Sequence, residues 1–183
     1  MKFILDKMYD LPSLDGITWE QYCNLRTAPI EEWMRILFGE GAPMVDSRTS
    51  REVLKVYLTT LIMEYRVKER TSIIHRGETY SFPPIVEERF TGLNAVEGFL
   101  SLVIMEQQGK NDYSMWLNIF LLCCNIEGER ITDVPSFYRR SMLKIEQAKD
   151  LPCTVIFDFI QPYKKLMDHI VKTYRYLFKQ LEV

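Results

Sequence analysis

The chain has 183 residues, 47% of them hydrophobic, with eight Gly, eight Pro and a formal net charge of −2. That length fits one domain or two closely packed subdomains, and the composition excludes a disordered or low-complexity chain. The charge balance argues against nucleic acid as the main partner, because neutralising phosphates needs a basic excess on some face, and no apolar run approaches the ~20 residues that span a bilayer.

Phe3–Leu5 and Met8–Leu11 read as two short strands around Asp6-Lys7, ended by Pro12, which has no amide to donate. Thr18-Trp19-Glu20-Gln21 is a capping box that starts a helix through Tyr22 and Leu25. A second helix is predicted from Pro29 to Phe38, with Ile30, Trp33, Met34 and Leu37 on one face and Gly39 placed to stop it. Thr49-Ser50-Arg51-Glu52 is a second capping box. The helix after it carries Val53, Leu54, Tyr57, Leu58, Leu61 and Ile62 at helical spacing.

The centre of the chain holds the clearest hairpin. Ser72–His75 and Thr79–Phe82 flank Arg76-Gly77-Glu78, where Gly77 can take a left-handed conformation. Pro83-Pro84 ends it. Asn94 is placed to cap a helix that runs to Gln108. Asp112 is placed to cap another, Tyr113–Cys124, which is apolar on nearly every side and so predicted to be the centre of the core. Glu127–Val134 is a polar loop, and Ser136 opens a charged helix to Lys149. A Leu151-Pro152 step leads into the longest helix, whose apolar positions run from Val155 to Leu181, with Pro162 inside it. The fold class predicted is mainly α: a multi-helix bundle with one or two small β-hairpins. It is read as a single compact domain over 1–183, with any subdomain division at 1–70 and 71–183.

No catalytic signature is present. His75 and His169 are the only histidines, and neither has Cys, His or carboxylate neighbours at metal-ligand spacing. Cys123 and Cys124 are adjacent, a geometry that rarely bridges, and core thiols are expected. Met1–Leu5 meets Asp6 too early for the apolar region of a secretory signal, which predicts a reducing compartment. Glu31-Glu32 and Glu87-Glu88 read as solvated faces. Arg66, Lys68, Arg70 and Arg76, interleaved with Glu64, Glu69 and Glu78, read as a surface ion-pair network. In the last helix Ile170, Tyr174, Leu177, Phe178 and Leu181 share one face, opposite Lys172, Arg175 and Lys179. An apolar stripe kept this far must be buried, by core or by a partner, and these five residues are the candidate partner-binding surface.

Taken together, the segments resemble a family of small proteins of tailed bacteriophages that are often encoded beside tail genes. The residues that carry the resemblance are Ile73, Ile74, Gly77, Tyr80 and Phe82, then Leu93–Leu102, Trp116–Cys124, Glu127–Arg130, Tyr138 and Leu151-Pro152 through Phe159. Phe90-Thr91-Gly92-Leu93-Asn94 replaces the family's commoner Thr-x-Gly-x-Tyr/Phe run. The resemblance implies a virion structural protein or a tail or baseplate assembly protein, chaperones included, without catalytic residues, cofactor or metal. Its partners would be other phage tail or virion proteins, or a second copy of itself. It would act in the host cytoplasm during assembly, or in the virion. The competing expectation is a small intracellular helical enzyme or ligand-binding domain with a pocket beneath the central hairpin, lined by Tyr80, His75 and Trp116.

Overall fold

A computed structural model of the chain describes residues 2–5, 8–82, 113–126 and 143–173. The chain divides into two units, Met1–Val67 with Lys149–Thr154, and Lys68–Ala148 with Val155–Val183. The fold is mainly α with small antiparallel sheets, as the hydrophobic periodicity predicts.

The first unit opens with β1 (Lys2–Ile4) and β2 (Met8–Asp10), paired antiparallel with Phe3 opposite Tyr9. Phe3 and Tyr9 are buried while their neighbours along each strand are exposed, the period-two pattern of a sheet with one covered face. The register sets Ile4 opposite Met8, so Leu5 joins Asp6-Lys7 in the connection instead of ending the strand. Asp-Lys lacks the Asn or Gly that a two-residue turn needs at positive φ.

Helix α1 (Trp19–Thr27) has the predicted capping box: the Gln21 amide donates to Thr18 Oγ1 at 3.1 Å, and the Thr18 amide donates to Gln21 Oε1 at 3.0 Å. Two first-turn amides are met from the return segment, Trp19 N–H donating to Leu151 O at 2.7 Å and Glu20 N–H to Lys149 O at 2.9 Å. Thr18 and Pro152 form an antiparallel bridge, and Cys153 N–H donates to Ile17 O at 2.8 Å. These bonds use donors and acceptors that a helix end leaves free. The stretch predicted as one helix from Pro29 is a 3-10 turn, Ile30–Glu32, running into α2 (Trp33–Phe38). Gly39, at φ +89°, stops it.

Helix α3 (Arg48–Glu64) starts earlier than predicted. Ser47 is the cap, its side chain accepting the Ser50 amide at 3.3 Å, and Thr49 lies in the first turn. Ser47 has the extended backbone of a cap. Leu54, Tyr57 and Leu58 are buried at the spacing of one helix face.

In the second unit, β3 (Ser72–His75) and β4 (Glu78–Ser81) form the central hairpin, and β4 also pairs with β5 (Asn125–Ile126), in the order β3-β4-β5. The turn is Arg76-Gly77, with φ +50° and +81°. Glu78, predicted to lie in the turn, is the strand residue opposite His75. Two positive φ values give the twist that suits a two-residue hairpin. Helix α4 (Tyr113–Cys123) buries Trp116, Leu117, Ile119, Phe120, Leu121 and Cys123 on all sides, as an apolar helix must. Residues 143–148 are helical. Helix α5 (Cys153–Thr173) contains Pro162 and begins in the first unit, continuing through the second. The predicted Asn94–Gln108 helix, the Glu127–Val134 loop and the cap at Ser136 lie outside the described residues.

The core of the second unit is a run of rings. Tyr80 stacks on Phe120 at 6.3 Å, Phe120 meets Phe159 edge-on at 5.5 Å, Phe159 stacks on Tyr163 at 5.1 Å, and Tyr163 meets Trp116 edge-on at 6.3 Å. Such pairs add to the burial of large apolar area.

Candidate functional site

Helix α3 has two apolar rows. Leu54, Tyr57 and Leu58 face the first unit's interior. A second row, Thr49, Val53, Val56, Thr60 and Met63, recurs at steps of four and three and so runs along one side of the helix. This row faces outward: Val53 is 37% exposed, Val56 62% and Met63 72%. The sequence pattern groups Val53 with Leu54, Tyr57 and Leu58 at helical spacing; the structure places Val53 on this outer row.

Beside the row runs the segment that follows β2. Leu11 is buried, and the Tyr57 hydroxyl donates to Pro12 O, which fixes this segment along α3. Burial first, and the Cys153 thiol second, push the Tyr57 hydroxyl above its ordinary range, so it stays a protonated donor. Between helix and segment lies a groove of about 600 Å³, lined by Leu11, Pro12, Ser13, Thr49, Glu52, Val53, Val56, Tyr57, Thr60 and Leu61. Glu52 is the one charged residue of that lining. An apolar trough with a few polar groups at its margin holds apolar side chains by burial, and the margin sets their orientation.

A second cleft in the same unit is polar, lined by Glu20, Gln21, Asn24, Glu32, Arg35, Ile36 and Glu40. Two of its polar side chains make structural bonds: Gln21 Nε2 donates to Ile36 O at 3.0 Å and Arg35 Nε to Ala42 O at 3.3 Å. Among the described residues no group of three or more His, Cys, Asp or Glu is placed to hold a metal ion.

In the second unit Asp158 and Glu78 each hold a basic partner. Asp158, buried on α5, accepts the Lys68 amide at 2.7 Å and the Arg70 guanidinium. Glu78 pairs with Lys144, and that bond, followed by one from Tyr80, holds its carboxyl below the usual range. Arg70 and Glu78, predicted to belong to a surface ion-pair network, are both ion-paired, but with Asp158 and Lys144 and not with the charges interleaved beside them in sequence. Glu31, predicted to be solvated, pairs with Arg51.

Tyr80 and Trp116, predicted to line a pocket, are buried members of the ring run described above, and His75 Nε2 lies 3.0 Å from Gln147 O. All four cysteines are thiols and not disulfides; Cys123, Cys124 and Cys153 are buried and Cys23 half-buried. Of the predicted partner-binding residues, Ile170 lies on α5, its side chain outside what is described, and Tyr174, Leu177, Phe178 and Leu181 lie outside the described residues. The outer row of α3 was missed in the sequence, although its signal, apolar or β-branched residues at steps of four and three beside a buried row, is present from Thr49 to Met63.

Among the described residues no helix is long and apolar enough to cross a membrane. Comparison with protein families, with curated proteins and with solved structures found no match to this chain.

Proposed function

We propose that this chain is a non-enzymatic protein of tailed bacteriophages, built into the virion or assisting tail or baseplate assembly, and that it works through protein–protein contact. The observation that carries the contact reading is the outward apolar row of α3 and the groove beside it. Val56 and Met63 add nothing to the first unit's interior, and a face of this kind is stable in company when another protein covers it. The phage setting rests on the residue pattern from Ile73 to Phe159. Partners of this chain would be other tail or virion proteins. Mass spectrometry of purified particles of the parent phage tests the reading: the chain present at structural copy number marks a virion component, and its presence only in assembly intermediates marks an assembly factor. Absence from both contradicts it.

A ligand-binding domain is the second reading, favoured by the groove's volume of about 600 Å³, which is within the range of small-molecule sites. A thermal-shift screen against nucleotides and common metabolites separates the two; a saturable rise in melting temperature would favour the ligand.

A further inference from the structure

Both walls of the α3 groove are fastened to one short stretch of chain that is distant from them in sequence. Lys149–Thr154 belongs to the first unit, although Lys68–Ala148 separates it from the rest of that unit. On the segment wall, the Cys153 thiol donates to Leu14 O at 3.3 Å, and the Thr154 hydroxyl donates to Asp15 Oδ1 at 2.6 Å. Leu14 and Asp15 open the 3-10 turn Leu14–Gly16, which directly follows the lining residues Leu11, Pro12 and Ser13. On the helix wall, the hydroxyl of Tyr65, the residue after α3, donates to Thr154 O at 3.4 Å.

The stretch itself is docked by few bonds. Its backbone meets Ile17, Trp19 and Glu20, Leu151 is buried, and Lys149 pairs with Glu20 at 3.4 Å where both side chains are open to solvent. A short segment held in this way opens locally at less cost than the whole fold.

We propose that Lys149–Thr154 is a latch for the α3 groove: docked, it holds the Leu11–Ser13 wall in place beside α3, and when it opens the wall loosens with it and the contact surface is lost. The proposal rests on the reading of the groove as a protein-contact surface and adds what controls it. The latch follows Lys68–Ala148 in the chain, so a growing chain completes the groove only after the residues of that stretch have been made.

Native-state hydrogen exchange of the full chain, read amide by amide, tests this. Gly16 N–H donates to Ser13 O at 2.9 Å and Ile17 N–H to Leu14 O at 3.2 Å, so these amides report on the wall; those of Trp19, Glu20 and Cys153 report on the latch. In the wild type all of them should exchange through one opening, with protection equal to within about threefold. Cys153→Ala with Thr154→Val removes both side-chain donors to the wall and should speed exchange at Gly16 and Ile17 by about tenfold, leaving the β1–β2 ladder unchanged. Thr154→Ser keeps its hydroxyl and should exchange as the wild type does. If the double variant fails to fold, wild type in sub-denaturing urea decides, because wall and latch amides should then share one urea dependence. Wall amides that stay protected while the latch amides lose protection would overturn the proposal.

Linkage supplies the second arm. A purified tail protein that wild type holds and Val56→Glu does not, present at about ten times its Kd, should slow exchange at the latch amides about tenfold. Latch amides indifferent to that partner would overturn the latch and leave the contact reading standing. A wild type that holds no tail protein would sink the contact reading, and the shared opening of wall and latch would still decide the latch.

Discussion

Asp158 Oδ1 accepts the backbone amide of Lys68 at 2.7 Å, and its other oxygen takes the Arg70 guanidinium. The carboxylate is fully buried on α5, and it ties down the segment that leads from α3 into the central hairpin. A buried charge of this kind is tolerable because both oxygens are met.

Removing that carboxylate should therefore be costly. Asp158→Ala removes the carboxylate that accepts from the Lys68 amide and the Arg70 guanidinium and should destabilise the protein by about 3 kcal/mol. Asp158→Asn retains an acceptor for the amide and should cost less. Urea denaturation of the two variants checks the order; an alanine variant as stable as wild type would show the pair to be dispensable.

The hairpin turn offers a test in the stabilising direction. Arg76 sits at φ +50°, where a side chain with Cβ is strained, and Gly77 at φ +81°. Arg76→Asn should stabilise by up to about 1 kcal/mol, since Asn tolerates the left-handed region. Gly77→Val should destabilise by at least about 1 kcal/mol. Thermal melts of both variants should move in opposite directions.

Stability should fall in alkali. Burial first, and Asp15 second, push the Cys153 thiol from 9.0 up to about 12. The fold thus holds a proton that the unfolded chain releases, so the stabilisation is complete below pH 9 and is lost as pH rises toward 12. Burial raises the Tyr57 and Tyr163 hydroxyls in the same direction. Denaturation midpoints measured from neutral pH upward should decline; a flat profile would mean the thiol and the hydroxyls are not held protonated.

Thiol labelling should find the same burial. In the folded protein at mild alkaline pH, Cys23 should react with an aromatic disulfide reagent, while Cys123, Cys124 and Cys153 react only on unfolding. Fast reaction of all four in the native state would contradict the packing described for α4 and for the start of α5.

The sequence makes much of this legible where local chemistry decides. The Thr18–Gln21 box, the stop at Gly39, the central hairpin and the buried α4 follow from side chains acting on their own backbone or from an apolar surface with no polar side. It fails where a distant partner decides. Asp158 looks like a polar interruption of an apolar helix until Lys68 and Arg70 are set beside it. The cap falls at Ser47, two residues ahead of the better-looking Thr49 box, and Thr49 lies in the first turn and lines the groove. The groove itself is half hidden for the same reason: the periodicity of α3 does not say which side is covered, and only the folded chain shows Leu54 and Leu58 buried and Val53 and Val56 exposed.

The outer row of α3 is the surface on which the functional account stands, and one measurement addresses it directly. Light scattering on size-exclusion fractions of the full chain, wild type and Val56→Glu, alone and mixed with purified tail proteins, reports what that row holds. The account predicts that wild type elutes in a larger assembly and Val56→Glu as a monomer with an unchanged melting temperature, because Val56 is 62% exposed and contributes little to the fold. A Val56→Glu chain that assembles as wild type does, or a wild type that stays monomeric alone and in every mixture, would contradict it.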